Sequence, residues 1–259
     1  MPELRVSRTA ARATARAMFE GVADLLLPRS CAVCERSVDA GDSGIVCGRC
    51  WARAHELPHP RCDRCGHPQW RPTCSWCDQL PPYVRAARSA YWIPGGTAAA
   101  IVHALKYSGW SGVAMSMADR MARLSWPADV AAERSMVVPT PLAATRERER
   151  GFNQSALLGR ALASRWKIPF VSDCVVRARA TATQTRLTPE ERRGNVSGAF
   201  RATPNAREKL RGAHVVLVDD VITTGATLSE CAATLFENGA RIISIVTFGR
   251  APAAGDRAH

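Results

Sequence analysis

The sequence predicts an α/β protein in which an open parallel sheet follows a small metal-binding module. Two observations predict it. Between Met136 and Phe248 short apolar runs alternate with helical stretches, and strand, helix, strand in that order implies right-handed crossovers and parallel pairing. Ahead of that region, eight of the ten cysteines crowd between Cys31 and Cys77. The apolar content, 46% of 259 residues, is enough for a real core and excludes wholesale disorder. No run approaches the roughly 18 uninterrupted apolar residues of a membrane helix, so no span is expected. The basic N-terminal segment is followed only by the short patch Val22–Leu27, broken by Asp24. A secretory leader needs a longer apolar core, so a cytoplasmic location is expected.

Residues 10–27 have helical composition, with Ala17, Phe19 and Leu25–Leu27 on an apolar face, and Pro28 ends them. The cysteine-rich stretch occupies about Ser30 to Asp78, and Pro81-Pro82 closes it. A helix is expected over Thr97–Leu105 after the Pro94-Gly95-Gly96 turn. Met136-Val-Val-Pro139 reads as a short buried strand whose loop, Pro139-Thr140-Pro141, emerges at the carboxyl edge of the sheet. Asn153–Trp166 carries Leu157, Leu158, Ala161 and Leu162 at helical spacing. Pro169–Val171 and Cys174–Val176 are strand-like. The polar, arginine- and threonine-rich stretch from Arg177 to Gly198 is too long for an ordinary connection and is expected to be a functional mobile loop. His214–Val218 then reads as a buried strand, Ala226–Glu237 as a helix and Arg241–Phe248 as a last strand. The expected division is a helical extension over 1–29, a cysteine-rich module over 30–80, the α/β domain over 81–250 and a tail over 251–259.

The clustered cysteines form four C-x-x-C pairs: Cys31/Cys34, Cys47/Cys50, Cys62/Cys65 and Cys74/Cys77. Two intervening residues let both sulfurs turn onto one ion, and two such pairs complete a tetrahedral four-cysteine zinc site. A disulfide framework fits poorly with a reducing compartment. About two structural Zn2+ ions are therefore expected. Sequential pairing closes shorter loops and is favoured, with a cross-braced arrangement as the alternative. The other two cysteines, Cys174 and Cys231, sit in apolar surroundings and read as small core residues.

The most informative segment is Val215-Val-Leu-Val-Asp-Asp-Val-Ile-Thr-Thr-Gly-Ala-Thr-Leu228. A buried strand delivers Asp219 and Asp220 at the end where α/β sheets bind ligands. A Thr- and Gly-rich loop then opens directly into a helix, and the backbone N–H groups at such a start can hold a phosphate. Carboxylates beside a phosphate cradle would repel a bare phosphate. They suit one carried on a sugar, and a ribose 5-phosphate meets both requirements. A Walker A loop is absent.

This segment resembles the phosphoribosyl pyrophosphate (PRPP) signature of type I phosphoribosyltransferases. Pro139-Thr-Pro-Leu142, Arg150-Gly-Phe-Asn-Gln154, Gln184, Arg192-x-x-Asn195 and Gly198-Ala-Phe200 join it in a pattern similar to the ComF family, which also carries an N-terminal Cys-pair module. The resemblance runs from about residue 25 to 248. It implies a type I phosphoribosyltransferase-like open parallel sheet with an N-terminal double zinc-binding module of four cysteines per site. It also implies roles. Asp219 and Asp220 would accept from the ribose hydroxyls, and Thr223, Thr224, Gly225, Ala226 and Thr227 would wrap the 5′-phosphate. Pro139, Thr140 and Pro141 would approach the pyrophosphate, with Mg2+ bridging it to the ribose. Arg150 and Arg192 would neutralise the leaving group. Lys106 matches a family position without an assigned role, and Asn153 reads equally as a helix N-cap.

Charge points to a second function class. The chain carries 35 basic and 23 acidic side chains for a net charge of +12, and only Lys106, Lys167 and Lys209 are lysines, leaving 32 arginines. Eight thiolates on two Zn2+ ions would lower the net charge to about +8. Arginine suits phosphate, so a polyanion is a plausible partner. The resemblance associates such chains with competence, and the alternative is a non-catalytic handler of single-stranded DNA, with Trp51, Trp70 and Trp76 available for base stacking.

Overall fold

The computed structural model describes residues 30–38, 45–69, 72–74, 76–93, 95–107, 111–179 and 198–252. The helix expected over 10–27, and Gln184, Arg192 and Asn195 in the long polar stretch, lie outside them.

Four strands form the main sheet: β1 (Val84–Trp92), β2 (Met136–Pro139), β5 (His214–Ile222) and β6 (Ile242–Arg250). Their spatial order is β1-β6-β5-β2, and every pairing is parallel. The central strand β5 has side chains fully buried on both faces, which is why it reads as an unbroken apolar run. Its alternation divides the core. Val216 and Val218 join one cluster with Leu158, Leu162, Met117 and Met121, while Val215 and Leu217 join the other with Leu228, Cys231 and Leu235. Each such leucine contributes about 1.5–3 kcal/mol by leaving water.

The first face is covered by α2 (Gly96–Tyr107), α3 (Val113–Ala122) and α6 (Gln154–Trp166), the second by α8 (Ala226–Glu237). Short helices α4 (Ala128–Glu133), α5 (Ala144–Arg150) and α7 (Ala206–Leu210) connect these elements, and α1 (Gly48–Ala52) lies in the cysteine-rich module. Asn153 caps α6, its side chain accepting from the N–H groups of Ser155 at 2.9 Å and Ala156 at 3.4 Å.

The strand-like run Pro169–Val171 contributes only a single parallel bridge, Phe170 to Val137. Cys174–Val176 does not join the main sheet. Instead β3 (Val175–Arg177) pairs antiparallel with β4 (Phe200–Ala202). That pair brings the two ends of the polar stretch together, so its stem is fixed to the fold through Cys174, Val175 and Phe200 in the second core cluster. Cys174 and Cys231 are both fully buried, as core residues.

The cysteine-rich module lies along β1, the edge strand. Ala87 donates its N–H to the Arg64 carbonyl and Trp92 donates to His55, both at 2.8 Å. Arg88 reaches back from β1 to donate to the Asp63 carbonyl at 2.8 Å.

Candidate functional site

The four sulfurs of Cys31, Cys34, Cys47 and Cys50 lie within 4.8 Å of one another, and so do those of Cys62, Cys65, Cys74 and Cys77. The pairing is therefore sequential. Sulfur separations of 3.7 Å (Cys34 to Cys47) and 3.8 Å (Cys31 to Cys50) match the edge of a tetrahedron built on Zn–S bonds of about 2.3 Å. In the second set Cys62–Cys77 and Cys65–Cys74 each stand 3.4 Å apart. Four soft thiolates at these spacings suit Zn2+ and leave no position for a substrate, so both sites are structural.

At the carboxyl end of the sheet, a cavity of about 330 Å³ gathers residues from five segments. Asp219, Asp220, Thr223, Gly225 and Thr227 line it from the β5–α8 connection, and Thr140 and Pro141 from the loop after β2. Lys106 at the end of α2, and Gln154 and Ser155 at the start of α6, complete the wall, with Arg146 and Arg177 as further cations. Thr224 is used locally, its hydroxyl accepting from the Ala226 N–H at 3.4 Å, while Pro139 is buried at the end of β2. Gly225 takes φ +78°, the left-handed conformation that lets the loop turn straight into α8.

The acid pair is asymmetric. Asp220 is buried; Lys106 forms an ion pair with it, and Gln154 Nε2 donates to its Oδ1 at 3.3 Å. Burial opposes its ionisation, but the Lys106 ammonium outweighs this and holds the Asp220 carboxyl below the usual carboxylate range. Asp219 accepts from Ser155 Oγ at 2.7 Å and from the Asp220 N–H at 2.9 Å. Burial, together with the neighbouring Asp220 charge, nonetheless pushes its carboxyl up to about 7. One carboxylate is fixed as an anion. The other is poised to change charge near neutrality.

The Arg150–Gln154 string does more than cap a helix. Asn153 Nδ2 also donates to the Thr140 carbonyl at 3.0 Å, tying the loop after β2 to α6. Arg150 donates to Gln154 Oε1 and lies over the Tyr107 ring, so its contact is with the residue that orients Asp220. Among the described residues the Thr140 hydroxyl has no hydrogen-bond partner, although it is buried and lines the cavity, the situation expected of a group awaiting a ligand.

Sequence reasoning missed Ser155, Arg146 and Arg177, and gave Gln154 and Lys106 no role. Ser155 did carry a signal. A serine in the first turn of a helix whose N-cap is already filled by Asn153 has no capping duty left. Of the three tryptophans read as stacking candidates, Trp76 is 2% exposed and Trp51 packs on Tyr91 and Phe248 under the Arg120 guanidinium. Trp76 is therefore core, and Trp70 lies outside the described residues.

This combination of fold and cysteine sites defines a phosphoribosyltransferase-type domain behind two zinc ribbons. Residues 22–81 match the double zinc ribbon domain, and residues 153–258 match the phosphoribosyl transferase domain. The chain belongs to the family of the DNA utilization protein YhgH and the ComF competence proteins. It is 35% identical to the DNA utilization protein YhgH of Salmonella typhi over 231 residues, spanning 85% of this chain and 96% of that one. The Escherichia coli K12 protein of the same name is likewise 35% identical, over 235 residues. Competence protein F of Haemophilus influenzae is 40% identical over 116 residues, 44% of this chain and 50% of that one.

Proposed function

We propose that the cavity binds PRPP, or another ribose 5-phosphate ligand, together with Mg2+, and that the domain transfers the phosphoribosyl group to an acceptor. The observation that carries this reading is the acid pair facing the same cavity as the Thr223–Thr227 loop. In it, Asp219 and Asp220 accept from the ribose hydroxyls, and the N–H groups and hydroxyls of the loop hold the 5′-phosphate. Arg146 and Arg177 line the cavity and are better placed than Arg150 to neutralise departing pyrophosphate; Arg192 keeps that role as a proposal. The oxygen-rich wall of Asp219, Thr140 and Thr223 suits a hard cation, and Mg2+ would supply charge neutralisation at the pyrophosphate. Catalysis would then be mostly electrostatic, carried by charges fixed before the substrate arrives. Cytoplasmic action fits this reading. Among the described residues no helix is long and apolar enough to cross a membrane.

Calorimetry tests it. Mg2+-dependent PRPP binding is expected, and Asp219→Asn with Asp220→Asn should weaken it by about 1–3 kcal/mol per lost charge-assisted bond. Unchanged affinity in the double variant would remove the ribose assignment. The pH profile is a second arm of the same titration. Because the Asp219 carboxyl lies near 7, affinity should rise as pH increases through neutrality and the acceptor ionises. Asp219→Asn should remove that part of the rise.

A second observation favours contact with single-stranded DNA. A cleft of about 440 Å³ between the first ribbon and the sheet is lined by Arg61, Arg120, Arg123 and His59 against the single acid Glu56, with Trp51 and Tyr91 as aromatic walls. We propose that DNA phosphates dock there, a reading that the name of the YhgH relatives supports. Anisotropy titrations of an oligonucleotide at several salt concentrations should give a linear fall of log K with log salt. Arg123→Ala should flatten the slope by about 0.7. Absence of binding at low salt rejects this reading and leaves the first untouched.

A further inference from the structure

We propose that Trp76, held between Cys74 and Cys77 of the second zinc site, is the positioning residue of the Thr223–Thr227 loop, so that metal occupancy of that ribbon sets the anion affinity of the cavity. A Cβ placed on Gly225 would stand 3.3 Å from Trp76 Cη2 and 3.6 Å from Cζ3. The benzo edge of the indole is therefore the floor on which the turn of the loop rests, and a side chain at 225 would press on it as well as strain the positive φ.

Trp76 cannot easily move. Its ring stacks on His67 at 5.8 Å with 17° between planes, and the Arg250 guanidinium lies 4.5 Å from its centroid. Arg250 is fully buried and donates from Nη2 to the Cys65 carbonyl at 2.6 Å. It is also the last residue of β6, paired in register with Ile222, the last residue of β5, and Ala251 N–H donates to the Ile222 carbonyl at 2.9 Å. The strand end from which the loop departs and the ribbon that carries Trp76 are thus clamped by one arginine.

The ribbon itself is seated without slack. A Cβ on Gly66 would meet the Ala87 carbonyl oxygen of β1 at 2.5 Å. Arg64 ties the segment after Cys77 by donating to the carbonyls of Cys77, Leu80 and Pro81. With Cys74 and Cys77 on one ion, Trp76 is tethered along the chain by a metal ligand on either side, and its ring is held by His67 and Arg250. Without the ion, Cys62 and Cys65 part from Cys74 and Cys77, and the indole loses the frame that presses it on Gly225. Trp51 of the first ribbon packs on Tyr91 and Phe248 instead and lines a different cavity.

The inference rests on the phosphate-loop reading for its affinity arm, but not for its structural arm. The informative variant is Trp76→Phe. It keeps a ring against His67 and Arg250 and withdraws the benzo edge from Gly225. With zinc content confirmed at two ions per chain, hydrogen exchange of the amides at 223–228 should quicken by about tenfold. Affinity for Mg2+-PRPP should fall by about 3- to 30-fold. Trp76→Ala should do more. Zinc-replete Trp76→Phe with wild-type loop exchange, or with faster exchange and wild-type affinity, overturns the proposal. If wild-type protein fails to bind Mg2+-PRPP while Trp76→Phe still quickens loop exchange, the ligand reading falls and the coupling of ribbon to loop stands.

Discussion

Chelating both zinc ions should collapse the ribbons and take much of the protein's stability with them. Its ties to β1 and to Arg250 seat it on the sheet, but its interior is built around the metal ligands. Cys31, Cys47, Cys50 and Cys65 supply much of its buried apolar surface, and with the ions gone they become unpaired thiols under a few short turns. Structural zinc sites in small modules are worth about 10–16 kcal/mol at neutral pH, and that binding energy is folding energy. Elemental analysis of protein purified without added metal should give about two zinc ions per chain. A chelator strong enough to remove them should then lower the thermal midpoint and expose a protease-sensitive segment before Pro81. Folded, reduced protein with a zinc content near zero would contradict the assignment. So would a chelated chain that melts as the native one does.

The second large effect is expected from Lys106→Ala. The Lys106 ammonium is the counterion of Asp220, and Asp219 stands next to it in the chain. Removing one partner of a buried pair costs about 3–5 kcal/mol, because the other charge is left uncompensated. Here the abandoned group is a pair of adjacent carboxylates, so the loss has a definite pH dependence. Without Lys106 the folded-state pKa of Asp220 rises above its unfolded value. A carboxyl raised in this way costs no stability below its ordinary pKa near 4, and the cost grows as pH rises toward the folded value. Because wild-type Asp220 titrates below the ordinary carboxylate range, urea denaturation should show the deficit closing only in acid below that range, where the ion pair is itself lost, and widest above pH 7. A deficit independent of pH would mean that Lys106 acts by packing alone.

Legibility followed burial pattern. β5, α6 and α8 were clear in the sequence because each has one dominant apolar period, and the boundaries of α8 match residue for residue. β5 runs on to Ile222, beyond the expected Val218, because parallel pairing with β6 carries the backbone past Asp219 and Asp220. β1 was not legible. Its run Val84-Arg-Ala-Ala-Arg-Ser-Ala-Tyr-Trp92 is interrupted by two arginines, whose heads leave the edge to reach Asp129 and the ribbon carbonyls. Helix α5 is almost wholly charged and has no buried residue, so it offered no periodicity at all. Within the site, the loop and the acid pair were visible as one contiguous string. The partners that orient them were not. Lys106 and Ser155 reach the acids from distant elements, Ser155 from 64 residues away, a juxtaposition only the fold creates.

The strand nearest the N-terminus of the sheet pairs with the one nearest its C-terminus: β1 lies against β6, with Val84 opposite Ile243. On a ribosome that emits the chain from its N-terminal end, β1 emerges long before its neighbour exists. It must wait through the synthesis of every other strand with the edge that β6 will cover still open, and an open apolar edge is a template for pairing with another molecule. Among the described residues the ribbon is the partner made earlier, and the carbonyls of Arg64 and His55 already accept from N–H groups on one side of β1. Metal acquired during synthesis would thus act as a cotranslational guard, and cells starved of zinc should accumulate this chain in aggregates rather than as a soluble, merely inactive protein.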